Sequence, residues 1–243
     1  MTSLPDAARL AWWGTAWLRG YVVTDLLLDA VTGADAVHEV RGAEGHEAPM
    51  TLVDALLDVR NGGGDSLGLA LPIEGDLLGL GGPAALNLDA VEVGEAAVSG
   101  AAGIALVPRR VGRAVLWRMH PAAPRQLPDV GEADRGLRAA LLESANALAA
   151  LEVARWRPEV ADELMDLRRV TALDAPDGTP TRCIDLAGRG LRCEAIVDLA
   201  LADDGGAVTT AEMTARRDAL RPLERAARRA VVAACSPEGW PDA

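Results

Sequence analysis

Apolar residues recur at helical spacing from Glu132 onward, where Leu137, Leu141, Ala145, Leu148 and Leu151 share one side and Arg, Glu and Asn occupy most of the other. Trp156-Arg157-Pro158 interrupts the run. Proline disfavours helix at the residue before it and suits a first helical position. A second periodic set then follows in Val160, Leu164, Leu167 and Val170. The pattern predicts two helices joined by a very short link, with their leucines forming a shared interior.

Taken in order, residues 5–18 place Leu10, Trp13 and Trp17 on one helical face, with Trp12 beside it and Gly20 as the stop. Thr24 predicts an N-cap for a helix over 25–32 that ends at Gly33, and Thr51 with Asp54 predicts a capped helix to Arg60. A short strand is expected around Val37–Val40. The period then changes. Leu67, Leu69, Leu71 and Ile73 alternate with Gly68, Ala70 and Pro72, which predicts a strand with one buried face. Residues 74–88 are rich in glycine and read as a long loop, and three further strands are expected over 95–99, 103–107 and 111–119. Residues 174–182 read as a loop, 191–202 as a largely buried helix, and Thr209 with Glu212 as the capping box of a last helix to about Cys235, bent or restarted at Pro222.

The predicted class is α+β, with N-terminal helices, a small mostly antiparallel sheet over about residues 66–119, and a C-terminal bundle of about four helices. One domain over 1–243 is expected, with a natural subdivision into 1–128 and 129–243.

Composition narrows the chemistry. All 24 basic residues are arginine, so Schiff-base chemistry, a phosphate-loop lysine and a lysine general base are excluded. The net charge of −12 argues against nucleic acid as a partner, because backbone binding needs a concentrated basic surface. Pro5 and Asp6 stand where a secretory signal would want positive charge, and the uncharged run 96–108 is too short and glycine-rich to span a bilayer. Cys183, Cys193 and Cys235 are odd in number and read as small core residues. The expectation is a soluble cytoplasmic bacterial protein with no membrane contact, no cofactor and no metal.

Gly64-Asp65-Ser66-Leu67-Gly68 fits Gly-x-Ser-x-Gly, in which small neighbours let a serine stand exposed on a sharp turn as a nucleophile. The same residues spell Gly-Asp-Ser-Leu, and the segment resembles the first motif of the GDSL (SGNH) esterases and lipases. The resemblance implies Ser66 as nucleophile and His120, followed by Pro121 as in that family, as base. It covers these few residues only. Trp117 stands where that family has its aspartate, and no Gly-x-Asn-Asp block is present. A glycine-rich turn from helix into strand accounts for the same five residues without chemistry.

Gly79-Leu80-Gly81-Gly82-Pro83-Ala84 matches the loosest dinucleotide fingerprint, Gly-x-Gly-x-x-Ala, but Pro83 and the weak helix signal after it favour a plain surface loop. His38-Glu39 and His46-Glu47, with Glu44 between, carry metal-ligand chemistry at a spacing that fits no helical His pair, so a solvated acidic loop is expected. Arg217, Arg221, Arg225 and Arg228 form a stripe on the last helix that suits an anionic ligand or acidic partner. Glu212, Asp218 and Glu224 on the same helix offer internal pairing instead. Trp12, Trp13 and Trp17 crowd one helix, either as core or as an interface. The leading functional expectation is a non-catalytic protein acting through a protein partner or as a homo-oligomer. A serine hydrolase using Ser66 and His120 is the competing one, and anion binding by the arginine stripe is the third.

Overall fold

The computed structural model describes residues 3–42, 48–150, 172–202 and 210–240. The expected second half of the C-terminal helix pair, the capping residue Thr209, and His46 with Glu44 and Glu47 lie outside them. The chain divides into two compact units, one of Leu4–Leu127, Asp174–Thr181 and Val232–Ala243, the other of Met1–Ser3, Pro128–Leu173 and Arg182–Val231. The class is α+β.

The first unit is built on a five-stranded mixed sheet of β1 (Val37–Gly42), β2 (Gly68–Ala70), β3 (Ala96–Ser99), β4 (Ile104–Val111) and β5 (Ala114–Pro121) in the order β1-β5-β4-β3-β2. Pairs β2–β3, β3–β4 and β4–β5 are antiparallel, and β1 joins β5 in parallel. That edge strand is what makes the sheet mixed. Parallel neighbours need a long crossover, and the whole stretch of residues 43–113 connects the two here.

Helices cover both faces. Along β4 successive side chains alternate, and Arg109 reaches α4 (Ala84–Val93) while Arg110 reaches α1 (Asp6–Leu18). On the α4 side Leu86 and Ala90 close over Ala70, Ala96, Val98, Ala105 and Val107. On the α1 side Ala7, Ala8, Leu10, Ala11 and Trp12 are buried, and the Trp12 indole N–H donates to the Ala234 carbonyl at 3.2 Å. The buried face of α1 therefore includes Trp12 and not, as its apolar spacing suggested, the line through Trp13 and Trp17, which are both half-buried.

Further local expectations need correction, among them the helix expected over 191–202, which begins at Thr181. Helix α2 (Thr24–Thr32) starts at Thr24 itself without a side-chain cap, because the Thr24 hydroxyl accepts from the Trp17 indole at 3.0 Å. The alternating run 67–73 joins the sheet only over Gly68–Ala70, and every residue from Ser66 to Pro72 is buried, so neither face is open. The outer edge of β2 is occupied: Leu69 N–H donates to the Cys235 carbonyl at 3.0 Å, and its own carbonyl accepts from Arg125 at 3.0 Å. Finally, the glycine-rich loop stops at Pro83, and α4 occupies the rest. In α3 (Leu52–Asn61) the expected capping box is present, with the Thr51 hydroxyl accepting from Asp54 N–H at 3.1 Å and the Asp54 carboxylate accepting from Thr51 N–H at 3.0 Å.

The second unit contains α5 (Val130–Ala150), α6 (Thr181–Ala202, counted from Arg182) and α7 (Thr210–Ala234, counted to Val231). Asp129 caps α5 by accepting from Glu132 N–H at 2.8 Å. The buried stripe of α5 is Val130, Ala133, Leu137, Ala140 and Ser144; Leu141 is 40% exposed. Close approach of α6 to α7 depends on Gly190, since a Cβ there would lie 2.7 Å from Val231 Cγ2 and 3.1 Å from the Ala227 carbonyl. Helix α7 runs through Pro222 without restarting.

Candidate functional site

The most tightly connected polar side chains of the sheet unit fall into two groups, one on each face. On the α4 face, His120 projects from β5 toward Asp89 of α4, with Nε2 2.7 Å from Oδ2. Both residues are buried. Asp89 Oδ1 also accepts from Arg118 at 3.1 Å and Arg109 at 3.4 Å, and Arg109 donates to Glu92 at 3.0 Å. One carboxylate thus receives three nitrogen donors, which compensates the burial of Asp89 and His120, while the guanidinium groups of Arg109 and Arg118 remain 35% and 47% exposed. Among the described residues the other imidazole nitrogen, Nδ1, has no hydrogen-bond partner.

Asp89 is therefore the acid that holds His120, a role the GDSL-type spacing sought at position 117. It is 31 positions away and on a different kind of element, so no local spacing could have shown it. The structure does not bring Ser66 to this pair. Gly68, Val98, Ala105 and His120 make one row across β2, β3, β4 and β5. At about 4.8 Å per strand that row is about 14 Å long. The chain at Ser66 is also held toward the opposite face, because both the N–H and the carbonyl of Leu67 bond to the Thr15 hydroxyl of α1, at 3.0 and 3.1 Å. The Ser66 hydroxyl donates to Asp65 at 2.9 Å, an acceptor that does not offer the imidazole base of a serine triad.

On the α1 face, Asp6 pairs with Arg9 and accepts from Arg110 at 2.6 Å. Arg110 also donates to Asp35 at 3.0 Å. His38 lies 3.2 Å from Asp35 through Nε2, while its Nδ1 accepts from the Trp117 indole at 3.1 Å. Both ring nitrogens are engaged, so the ring offers no free lone pair to a metal. Burial raises the Asp35 pKa, but hydrogen bonds from Arg110 and His38 outweigh it and hold the group below its ordinary value. Glu95 accepts from Ala7 N–H at 2.7 Å, at the start of α1. Burial pushes its carboxyl up to about 7 against that hydrogen bond, with the Asp6 charge adding to the rise.

The remaining sequence candidates take separate places. Gly79 and Gly81 serve close approach, since a Cβ at Gly79 would lie 2.8 Å from Ala70 Cα and one at Gly81 would meet the Pro124 carbonyl. Arg217, Arg221 and Arg225 are exposed on α7, and Arg221 pairs with Asp218 at 3.1 Å. Arg228 turns out of this stripe and is buried; Arg229, also exposed, continues it at the same four-residue step. Trp17 is stacked under the Arg60 guanidinium at 4.4 Å. All three cysteines are free and buried, and burial pushes the Cys183 thiol up to about 11, which removes thiolate reactivity. Among the described residues no group of His, Cys, Asp and Glu could hold a metal ion, and no helix is long and apolar enough to cross a membrane.

Fold and side-chain networks together define a two-part α+β protein whose sheet unit is tied by partly exposed arginines on the buried carboxylates of Asp6 and Asp89 and followed in the chain by long helices. Residues 7–130 match the N-terminal domain of the Rv1486c-like protein family and residues 131–232 match its C-terminal domain, and the chain belongs to that family. Uncharacterized protein Rv1486c of Mycobacterium tuberculosis (strain ATCC 25618 / H37Rv) is 27% identical over 289 aligned residues, covering 97% of this chain and 99% of that protein. Uncharacterized protein MT1533 of Mycobacterium tuberculosis (strain CDC 1551 / Oshkosh) matches at the same identity and the same coverage of both chains, 97% and 99%. No solved structure matches.

Proposed function

We propose that this chain is a non-catalytic cytoplasmic protein that works by docking another protein at the corner between α1 and α2. The observation that carries this reading is the exposure of Tyr21, Val23 and Leu26, at 59%, 65% and 53%, within six residues of one another. Large apolar side chains grouped on a surface mark interaction sites more often than solitary ones do. Asp25 and Asp29 stand exposed on the same helix, so the complementary partner surface is apolar with a basic rim. The same acids, on a chain of net charge −12, disfavour a second copy of itself as the occupant.

The reading has further support in how the reactive groups are used. His38 and Asp89 are spent on neighbouring side chains, and Ser66 is held away from His120. Two measurements test it together. A photo-crosslinking residue at position 26 in the host cell should capture one protein partner, and a fluorophosphonate probe should leave the chain unlabelled. Labelling that vanishes in Ser66→Ala would establish the hydrolase reading instead. A crosslink to a second copy of the chain would replace the partner by self-association.

A further inference from the structure

Within the helical unit, a groove of about 340 Å³ is lined by Glu132, Ala133, Arg135, Gly136 and Ala139 of α5 and by Ala226 and Arg229 of α7. Its floor is made of alanine and glycine, and nothing lies within 4 Å of a Cβ built at Gly136. The volume falls in the lower part of the range for small-molecule sites, about 300–1,000 Å³. The rim is cationic on two sides. Arg135 and Arg229 are exposed and have no ion-pair partner among the described residues, whereas the nearby Arg138 and Arg189 both pair with Asp134. Glu132 is the one acid on the lining, which leaves the rim at a net single positive charge in a chain where acids outnumber bases. Arg225, one helical turn before Arg229, brings the exposed arginine stripe of α7 up to the groove.

We propose that this groove binds a small amphiphile with an anionic head, the head gripped between the Arg135 and Arg229 guanidinium groups and the apolar body lying on the alanine and glycine floor. Charge complementarity selects the head: guanidinium forks bind carboxylate and phosphate oxygens in pairs. The floor selects the body, because side chains this small leave room for an acyl chain or ring and give it mostly apolar atoms to touch. Anion binding is thereby placed where the exposed arginines of α7 border a cavity, independently of the docking corner at Tyr21.

The test is calorimetric titration of the full chain with dodecanoate below its micellar concentration. The expected result is saturable binding with one site. Arg135→Ala with Arg229→Ala should weaken it at least ten-fold, and Gly136→Leu, which fills the groove at an exposed helical position, should abolish it. Arg217→Ala, three turns from the groove, should leave it unchanged. Dodecanol, lacking the charge, and inorganic phosphate, lacking the chain, should each bind at least ten-fold more weakly than dodecanoate. Thermal melts of each variant separate lost binding from lost folding, and the arginine double variant, altered only in exposed side chains, serves if Gly136→Leu melts early. Absence of saturable binding overturns the proposal, as does undiminished binding by the folded arginine double variant. Equal binding of phosphate alone would reduce the site to an ion contact and overturn it also.

Discussion

Asp89 Oδ2 sits 2.7 Å from His120 Nε2, joining a helix on one face of the sheet to the fourth strand in its order from the β2 edge. Removing the acid leaves a buried imidazole and two guanidinium groups without their shared acceptor. Asp89→Ala should therefore cost about 1–3 kcal/mol, the order found when a buried polar group, here the His120 imidazole, loses its partner, because the two arginines are partly exposed and hydrate instead. Urea denaturation measures it. A loss below about 0.5 kcal/mol would mean the network contributes nothing to the fold.

Glu95 makes stability depend on pH in a direction opposite to most carboxylates. Its carboxyl is raised from 4.5 to about 7 in the folded chain, so between those values the folded state binds more protons than the unfolded state. Stability from this group is complete below about pH 4.5 and is lost as the pH rises toward 7. Glu95→Gln keeps an oxygen for Ala7 N–H and removes the charge. It should raise stability at pH 8 by about 2 kcal/mol, discounted from the full shift for partial solvent contact, and leave it nearly unchanged at pH 4.5. Denaturation curves at the two pH values decide the sign.

Two helical glycines predict opposite outcomes for the same substitution. Gly136→Ala places its methyl in open space and should stabilise by about 0.5–1 kcal/mol through helix propensity. Gly190→Ala drives a Cβ to 2.7 Å from Val231 Cγ2 and should destabilise by about 1–3 kcal/mol. Equal melting temperatures for the two variants would remove Gly190 as the point where α6 and α7 meet.

Trp17 and Arg60 offer an optical readout. The guanidinium lies 4.4 Å from the indole ring and donates to the carbonyls of Trp17 and Leu18 at 3.4 and 3.3 Å. Arg60→Ala should change Trp17 fluorescence while costing under about 1 kcal/mol, since Arg60 is solvent-exposed and the ring half-buried. An unchanged emission spectrum in both intensity and wavelength would show that the stacking is not maintained in solution.

Local signals carried the parts of the fold whose physics is local. The Thr51–Asp54 capping box, the existence of three strands after residue 95, and the stop at Gly33 are readable because caps, alternation and turn glycines act within a few residues. The break expected over 108–110 is not there, since β4 continues to Val111 and the chain turns at Gly112. Helix α4 was not, because Leu86 and Ala90 face inward while Leu88 stands 74% exposed, so no apolar stripe separates its sides. The run 67–73 reads as half-exposed because the small Gly68 and Ala70 alternate with leucines as solvent-facing residues would. They are small because Arg125 and Glu238 crowd Gly68, and α4 packs over Ala70. The candidate site divided the same way. His120 was visible as a lone imidazole, but its partner Asp89 required the helix that the sequence concealed. Arg228 and Arg229 differ by one position and by burial, a distinction that helical periodicity alone does not draw.

The carbonyl of Cys235 closes the outer edge of β2 by accepting from Leu69 N–H at 3.0 Å. During synthesis the five strands, complete by Pro121, emerge more than a hundred residues before the segment that covers this edge. Until residue 235 leaves the ribosome the nascent sheet presents Leu69 as an open template for strand addition. Completion of the sheet unit therefore waits on residues 232–240, more than a hundred positions after its last strand.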